Sequence, residues 1–452
     1  MKETKKSSRQ IDMLNGPLLG KILLFALPVA ASSILQQLFN SADVAVVGRF
    51  AGSQAMAAVG CNASVTSLLI NLFVGLSVGA NVVIANYVGQ RSTDKVQDVV
   101  HTVMTMAILS GIFLLALGFL VARPILTLMN TPEDVIEQAV LYLRIYFLGM
   151  PFFMVYNFGS AVLRSIGDTR RPMYALLFSG IINVCLNLFF VILLKMGVAG
   201  VGTATAIANL ISAGMVVWFL TKEEGIIHLD LRQLKLKKEH VLRVIRIGAP
   251  AGLQGMVFSL SNVCIQSAIN GFGSAAVAGS AAAVNFEYFT YFMTSSFAQA
   301  ATTFTSQNFG AGQYKRCKKI AGVSIAGGLV ATICMSLVFV LGRDLFLLFY
   351  TTDKSVMAYA LVRVTHVEIM AFLPVFYEVG AGALRGIGYS MLPAIITLLG
   401  SCAFRFVWVY TVFKQIPTFD MLMNVYPVTW IITATAMMGA YFLIQKKVLK
   451  TD

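Results

Sequence analysis

Leu163-Arg164-Ser165-Ile166-Gly167, followed by Pro172, returns about 221 residues later as Leu384-Arg385-Gly386-Ile387-Gly388, followed by Pro393. In the same register Tyr156 meets Tyr377, Gly159 meets Gly380, Gly89 meets Gly310 and Gly52 meets Gly273. One residue further out, Pro28 meets Pro250 and Asn40 meets Asn262. A single match of this kind arises by chance. Several in one register make the chain a tandem of two homologous halves.

Around these loops the chain is built of long apolar blocks. Stretches near 17–39, 55–86, 97–121, 135–160, 173–194 and 198–220 form a first set, and 241–269, 276–306, 318–342, 355–383, 391–413 and 421–445 a second. Each block matches the thickness of a bilayer core, which takes roughly 20 apolar residues in a helix. The composition agrees: 58% of the 452 residues are hydrophobic and 12% are charged, about half the charged share of a soluble domain. The expected fold is an all-α polytopic membrane protein. It has twelve spans in two six-helix bundles, related by a pseudo-two-fold axis along the membrane normal because each half has an even number of spans. The expected boundaries are a polar tail 1–16, a first lobe 17–220, a charged linker 221–240, a second lobe 241–445 and a short tail 446–452. Two such bundles leave a cleft between them.

The net charge of +14 is distributed by side, and so does not point to nucleic acid. About 25 of the 34 basic residues fall on the N-terminus, the alternate loops, the linker and the C-terminus, the side that the positive-inside rule assigns to the cytoplasm. Both termini are therefore expected there. The basic start leads straight into a full-length span without a cleavage site, as an uncleaved first helix does. Plasma membrane, bacterial, is the expected location. Six cysteines are scattered without metal-ligand spacing and read as small apolar residues. No GxxxxGK[ST] or HExxH motif is present, and the GxSxG match at Gly75-Leu-Ser77-Val-Gly79 lies inside the apolar block 55–86, so neither an ATP engine nor a hydrolase is indicated.

Ionisable residues inside spans are costly and are kept for function or for a partner. Asp43, fifteen residues after Pro28 in the first span, is either an interfacial carboxylate or a carrier of H+ or Na+. Pro28 and Pro250 remove a backbone hydrogen bond and bend their helices. In the fifth span Asn183 and Asn187 share one helix face at i, i+4, where they either bridge helices or offer carbonyl oxygens to a cation. In the sixth span Thr203 and Thr205 stand among glycines that permit close packing. The second half has Glu287, Glu368, Glu378 and Arg405. Acids and a base buried in one lobe predict an ion pair with Arg405 or a glutamate that titrates. Phe39, Tyr156, Phe286 and Tyr288 are candidates for an aromatic cleft wall facing flat cations. The two arginine–glycine–proline loops read as hinges, with the arginines anchored at headgroups.

Two six-span halves, the start Asn15-Gly-Pro-Leu-Leu-Gly, the string Asp43-Val-Ala-Val-Val-Gly-Arg-Phe-Ala-Gly52 and the paired loops resemble the multidrug and toxic compound extrusion (MATE) transporters. The resemblance covers essentially the whole chain. It implies an exporter of organic cations and drugs, driven by inward movement of H+ or Na+; the chain is also expected to be a monomer with no other cofactor and no enzymatic activity. In the DinF-like branch it implies a cation site at Asp43, Asn183, Asn187 and Thr205 or Thr203. Asn187 stands where that branch has an aspartate, which leaves a single carboxylate. The acids that the NorM-like branch places on helices 7 and 10 are not clearly matched, and Glu287 and Glu368 are the nearest. A lipid-linked saccharide flippase of the same superfamily is the alternative.

Overall fold

The computed structural model describes residues 10–129, 131–348 and 351–449, except the side chains of Ser53, Cys61, Ala63 and Ser64. Residues 1–9 of the first tail, 450–452 of the second and the side chain of Cys61 lie outside that description. Every regular element among the described residues is helical. The first half runs α1 (Leu18–Phe50), α2 (Ser53–Gly89), α3 (Thr93–Leu128), α4 (Glu133–Leu148), α5 (Met150–Ser165), α6 (Arg170–Leu188) and α7 (Gly197–Thr221). The second half runs α8 (Lys238–Asn270), α9 (Ser274–Gly310), α10 (Tyr314–Leu341), the short α11 (Arg343–Leu348), α12 (Lys354–His366) and α13 (Pro374–Gly386). It closes with α14 (Met391–Thr397), α15 (Phe404–Trp408), α16 (Phe419–Met423) and α17 (Val425–Val448).

The repeat read from sequence is present in the backbone. Helices α1 and α8 are each 33 residues long, and α2 and α9 are each 37. Gly52 and Gly273 precede α2 and α9 with φ of +94° and +90°, a backbone region that a Cβ disfavours. After α5 and α13 the chain turns identically: Leu163 O accepts from Asp168 N at 3.1 Å and Leu384 O from Tyr389 N at 2.9 Å. Gly167 and Gly388 hold φ of +87° and +93° in those turns. Arg385 is not free to anchor at a headgroup, as the sequence reading expected, because its Nη2 donates to Gln254 Oε1 at 2.6 Å.

Nine described helices or helix runs are long and apolar enough to cross a membrane, and two bent pairs raise the number to eleven. Each half contains one such pair. Helices α4 and α5 meet at 45° where Gly149 and Pro151 interrupt the ladder, and α12 and α13 meet at 46° across Val367–Leu373. The twelfth expected span is α9, whose last turns bury Thr302, Thr303, Thr305, Ser306, Gln307 and Asn308 at 4% exposure or less. That polar face lowers its hydropathy while its partners lie inside the protein. Wide π turns continue α6 (Phe189–Leu193) and join α14 to α15 (Leu398–Ala403).

The chain forms two compact units, Met1–Ile11 with Ala31–Gly252 and Asp12–Ala30 with Leu253–Asp452. The division does not fall in the 221–240 segment. It falls two residues after Pro28 and two after Pro250, so α1 and α8 each begin in one unit and end in the other. Within the first unit, the start of α8 lies backbone-to-backbone on α2. A Cβ at Gly75 would stand 2.1 Å from Gly252 N, and one at Gly79 2.4 Å from Val244 O. The linker is tied to the same unit. Asp230 N donates to His101 Nε2 at 3.1 Å, and Lys235 pairs with Asp98 at 2.6 Å.

Candidate functional site

In the first unit three helices converge on one carboxylate. Asp43 on α1 is 7% exposed and makes no ion pair with any described Lys or Arg. Asn187 Nδ2 on α6 donates to its Oδ1, and Thr205 Oγ1 on α7 donates to its Oδ2 at 3.3 Å. Asn187 Nδ2 also reaches Asn183 Oδ1 at 3.2 Å, and Asn183 Nδ2 reaches Thr205 Oγ1 at 3.5 Å. The i, i+4 spacing on α6 puts both amides on the α1 side, as the sequence predicts. Phe39 packs against α6 at Gly180, where a Cβ would collide with its ring at 1.8 Å. The missing side chain at Gly180 thus lets α1 approach α6. Tyr142 and Tyr146, stacked at 6.0 Å, are electrostatic neighbours of Asp43.

The chemistry of this cluster is specific. A buried carboxylate without a counter-cation is held by neutral donors alone, so one monovalent cation is what it lacks for charge balance. Asn187 Oδ1 is buried with no partner. Rotation of that amide would present an acceptor to a protonated Asp43 or an oxygen to a metal cation. The site is therefore equipped for both states of the carboxylate. Thr203 stays outside it, with its hydroxyl bound to Ala199 O of its own helix at 2.7 Å.

The second unit brings the charges together differently from the expected pair. Glu287 on α9 does not pair with Arg405. It takes a two-pronged contact from Arg363 at the end of α12, Nε to Oε1 at 2.6 Å and Nη2 to Oε2 at 3.0 Å. Arg363 also donates to Ser280 Oγ at 2.6 Å and Tyr426 OH at 3.2 Å. The sequence reading overlooked Arg363. The signal was available, the one arginine inside the 355–383 block, five residues before Glu368. Glu368 lies in the α12–α13 break, fully buried; Thr290 donates to its Oε1, and its Oε2 has no partner. Glu378 accepts from Tyr291 OH at 3.4 Å. Arg405 on α15 is 1% exposed and lies between the rings of Phe258 (4.8 Å) and Tyr426 (4.9 Å).

Two of the aromatic candidates are packing residues. Tyr156 is 7% exposed and donates to Pro172 O at 3.2 Å, tying α5 to α6. Phe286 is 3% exposed and stacks on Phe339 at 5.0 Å in a small core with Leu347 and Val364. Each fills space between helices, which is the commoner fate of an aromatic in a bundle. Tyr288 is 43% exposed and stacks on Phe292 at 6.3 Å.

Comparison with known proteins bears on the fold. The MatE family model matches the chain twice, over residues 28–189 and 250–411. The probable multidrug resistance protein YoeA of Bacillus subtilis (strain 168) is 28% identical over 83% of this chain and 82% of its own length. The multidrug export protein MepA of Staphylococcus aureus (strain NCTC 8325 / PS 47) is 22% identical over 78% of this chain and 79% of its own. A solved MATE family multidrug resistance transporter of the MOP superfamily, in an outward-facing conformation, shares the fold. Its TM-score is 0.91 at 19% identity, covering 99% of this chain and 100% of that one. Two repeats with one backbone, each matched in turn by the same family model, identify this chain as a polytopic all-α membrane protein of the MatE family.

Proposed function

We propose that this chain is a secondary active antiporter, exporting organic cations or drugs in exchange for H+ or Na+ that binds at Asp43. The observation that carries the reading is the buried, unpaired Asp43 carboxylate, held by Asn187 and Thr205 from two other helices. Relatives named as multidrug resistance and export proteins support the class of cargo. In the ionised state Asp43 draws donors from α6 and α7 toward α1. A bound proton or metal ion reverses the demand, from donors to acceptors, and so changes which packing of these helices is favoured. An ion shifts a conformational equilibrium only through such a differential interaction. The two lobes then rock to expose the cargo on the opposite side. The bilayer is a bacterial plasma membrane, with both termini cytoplasmic and the chain acting as a monomer.

The test is ethidium uptake into proteoliposomes under a pH gradient or a Na+ gradient imposed separately. Accumulation driven by one of the two is expected and names the ion. Equilibration that ignores both gradients refutes antiport.

A further inference from the structure

The second unit shows one arginine fork filled and another unfilled. On Arg363, Nη1 goes to Ser280 while the Nε/Nη2 edge grips both oxygens of Glu287. On Arg405, Nη1 goes to Ser261 Oγ at 3.3 Å and Asn262 Oδ1 at 2.7 Å. Its Nε is buried without a partner, and Nη2 makes no hydrogen bond to any described residue. The Nε/Nη2 edge is the side of a guanidinium that matches a carboxylate with two parallel bonds. Both guanidinia ride on the ring of Tyr426, at 5.1 and 4.9 Å. They differ in that one takes a carboxylate from the protein and the other takes none from any described residue.

The repeat places this second fork in context. The two family matches are 222 residues apart at both ends. The π turn Leu398–Ala403 absorbs the residue that separates this spacing from the 221 seen at Pro172 and Pro393. At 222, Arg405 stands at the place of Asn183, Asn262 at that of Asn40 and Ile265 at that of Asp43. The second copy therefore has a cation where the first has an amide, and an apolar residue where the first has its acid. Asn262 is the exposed member of the group, whereas Ser261 and Arg405 are buried. An uncompensated guanidinium within a span is costly enough to imply a use.

We propose that the Arg405 fork, behind Asn262, recognises a carboxylate on the transported solute, so that the second unit takes an anionic group. The proposal rests on the reading of this chain as an exporter of organic solutes and narrows its cargo to include zwitterions. Its test uses the purified full chain in lipid nanodiscs. The probes are a rhodamine dye with a free carboxylate and the methyl ester of the same dye, with binding read by fluorescence anisotropy. In Arg405→Gln the acid form should weaken by about tenfold, the scale of one charge-assisted pair, while the ester keeps its affinity. Arg405→Lys, which keeps the charge and loses the fork, should fall between. Asn262→Asp should set a carboxylate against Nη1 and neutralise the guanidinium from within. That variant should weaken the acid selectively without stranding a charge, which preserves the test if Arg405→Gln does not fold. Equal changes for acid and ester, or none for either, would overturn the assignment to Arg405. If the ester binds and the acid does not, this inference fails and the export reading stands. If neither dye binds, both fail.

Discussion

Replacing Asp43 by Asn keeps the shape of the side chain and removes its charge, which makes it the sharpest probe of the ion site. The carboxylate accepts from Asn187 on one oxygen and from Thr205, at 3.3 Å, on the other. The amide can retain the first contact. It turns an N–H toward Thr205, whose hydroxyl then accepts and gives its single proton to Val201 O at 3.0 Å. The structural cost is thus at most one hydrogen bond, about 1 kcal/mol, offset by no longer burying a charge. The transport consequence is larger. A tenfold ion gradient supplies about 1.4 kcal/mol for each monovalent ion moved, enough to concentrate an exchanged solute about tenfold. Proteoliposomes with wild-type protein should approach that ratio for ethidium. Asp43→Asn should equilibrate the dye to a ratio near one while its unfolding temperature in detergent stays within a few degrees. Gradient-driven accumulation at the wild-type ratio in Asp43→Asn would refute the role given to this residue.

Other perturbations separate scaffold from site. Arg363→Met leaves the half-buried Glu287 without its base and should cost about 2 kcal/mol; adding Glu287→Gln should recover most of the loss in thermal unfolding. Gly75→Val forces a side chain into the backbone of α8 at Gly252. It should destabilise by about 1–3 kcal/mol, whereas Gly60→Ala, with nothing within 4 Å of the added carbon, should be neutral or slightly stabilising. Tyr156→Phe removes the bond to Pro172 O and should cost about 1 kcal/mol with no change in ethidium affinity; a marked affinity loss would return Tyr156 to the cleft.

The membrane class, the two halves and the repeated turns were legible in the sequence because each is a local or periodic property. Apolar block length answers to bilayer thickness, and the glycines at 167 and 388 recur because the same turn needs a positive φ twice. The Asp43, Asn183, Asn187 and Thr205 group was legible by resemblance, and helix periodicity already placed the two amides on one face. Tertiary structure alone decided which charges meet. Glu287 and Arg363 are 76 residues apart, and Arg405 and Asn262 are 143 apart, so their pairing depends on the depth and rotation of helices that no local pattern records. Burial made the same distinction between Tyr156, which fills a helix contact, and Tyr288, which does not. Packing of the chain into two compact units also makes α1 and α8 change units just past Pro28 and Pro250. Sequence determines which residues a helix presents; packing determines what each of them faces.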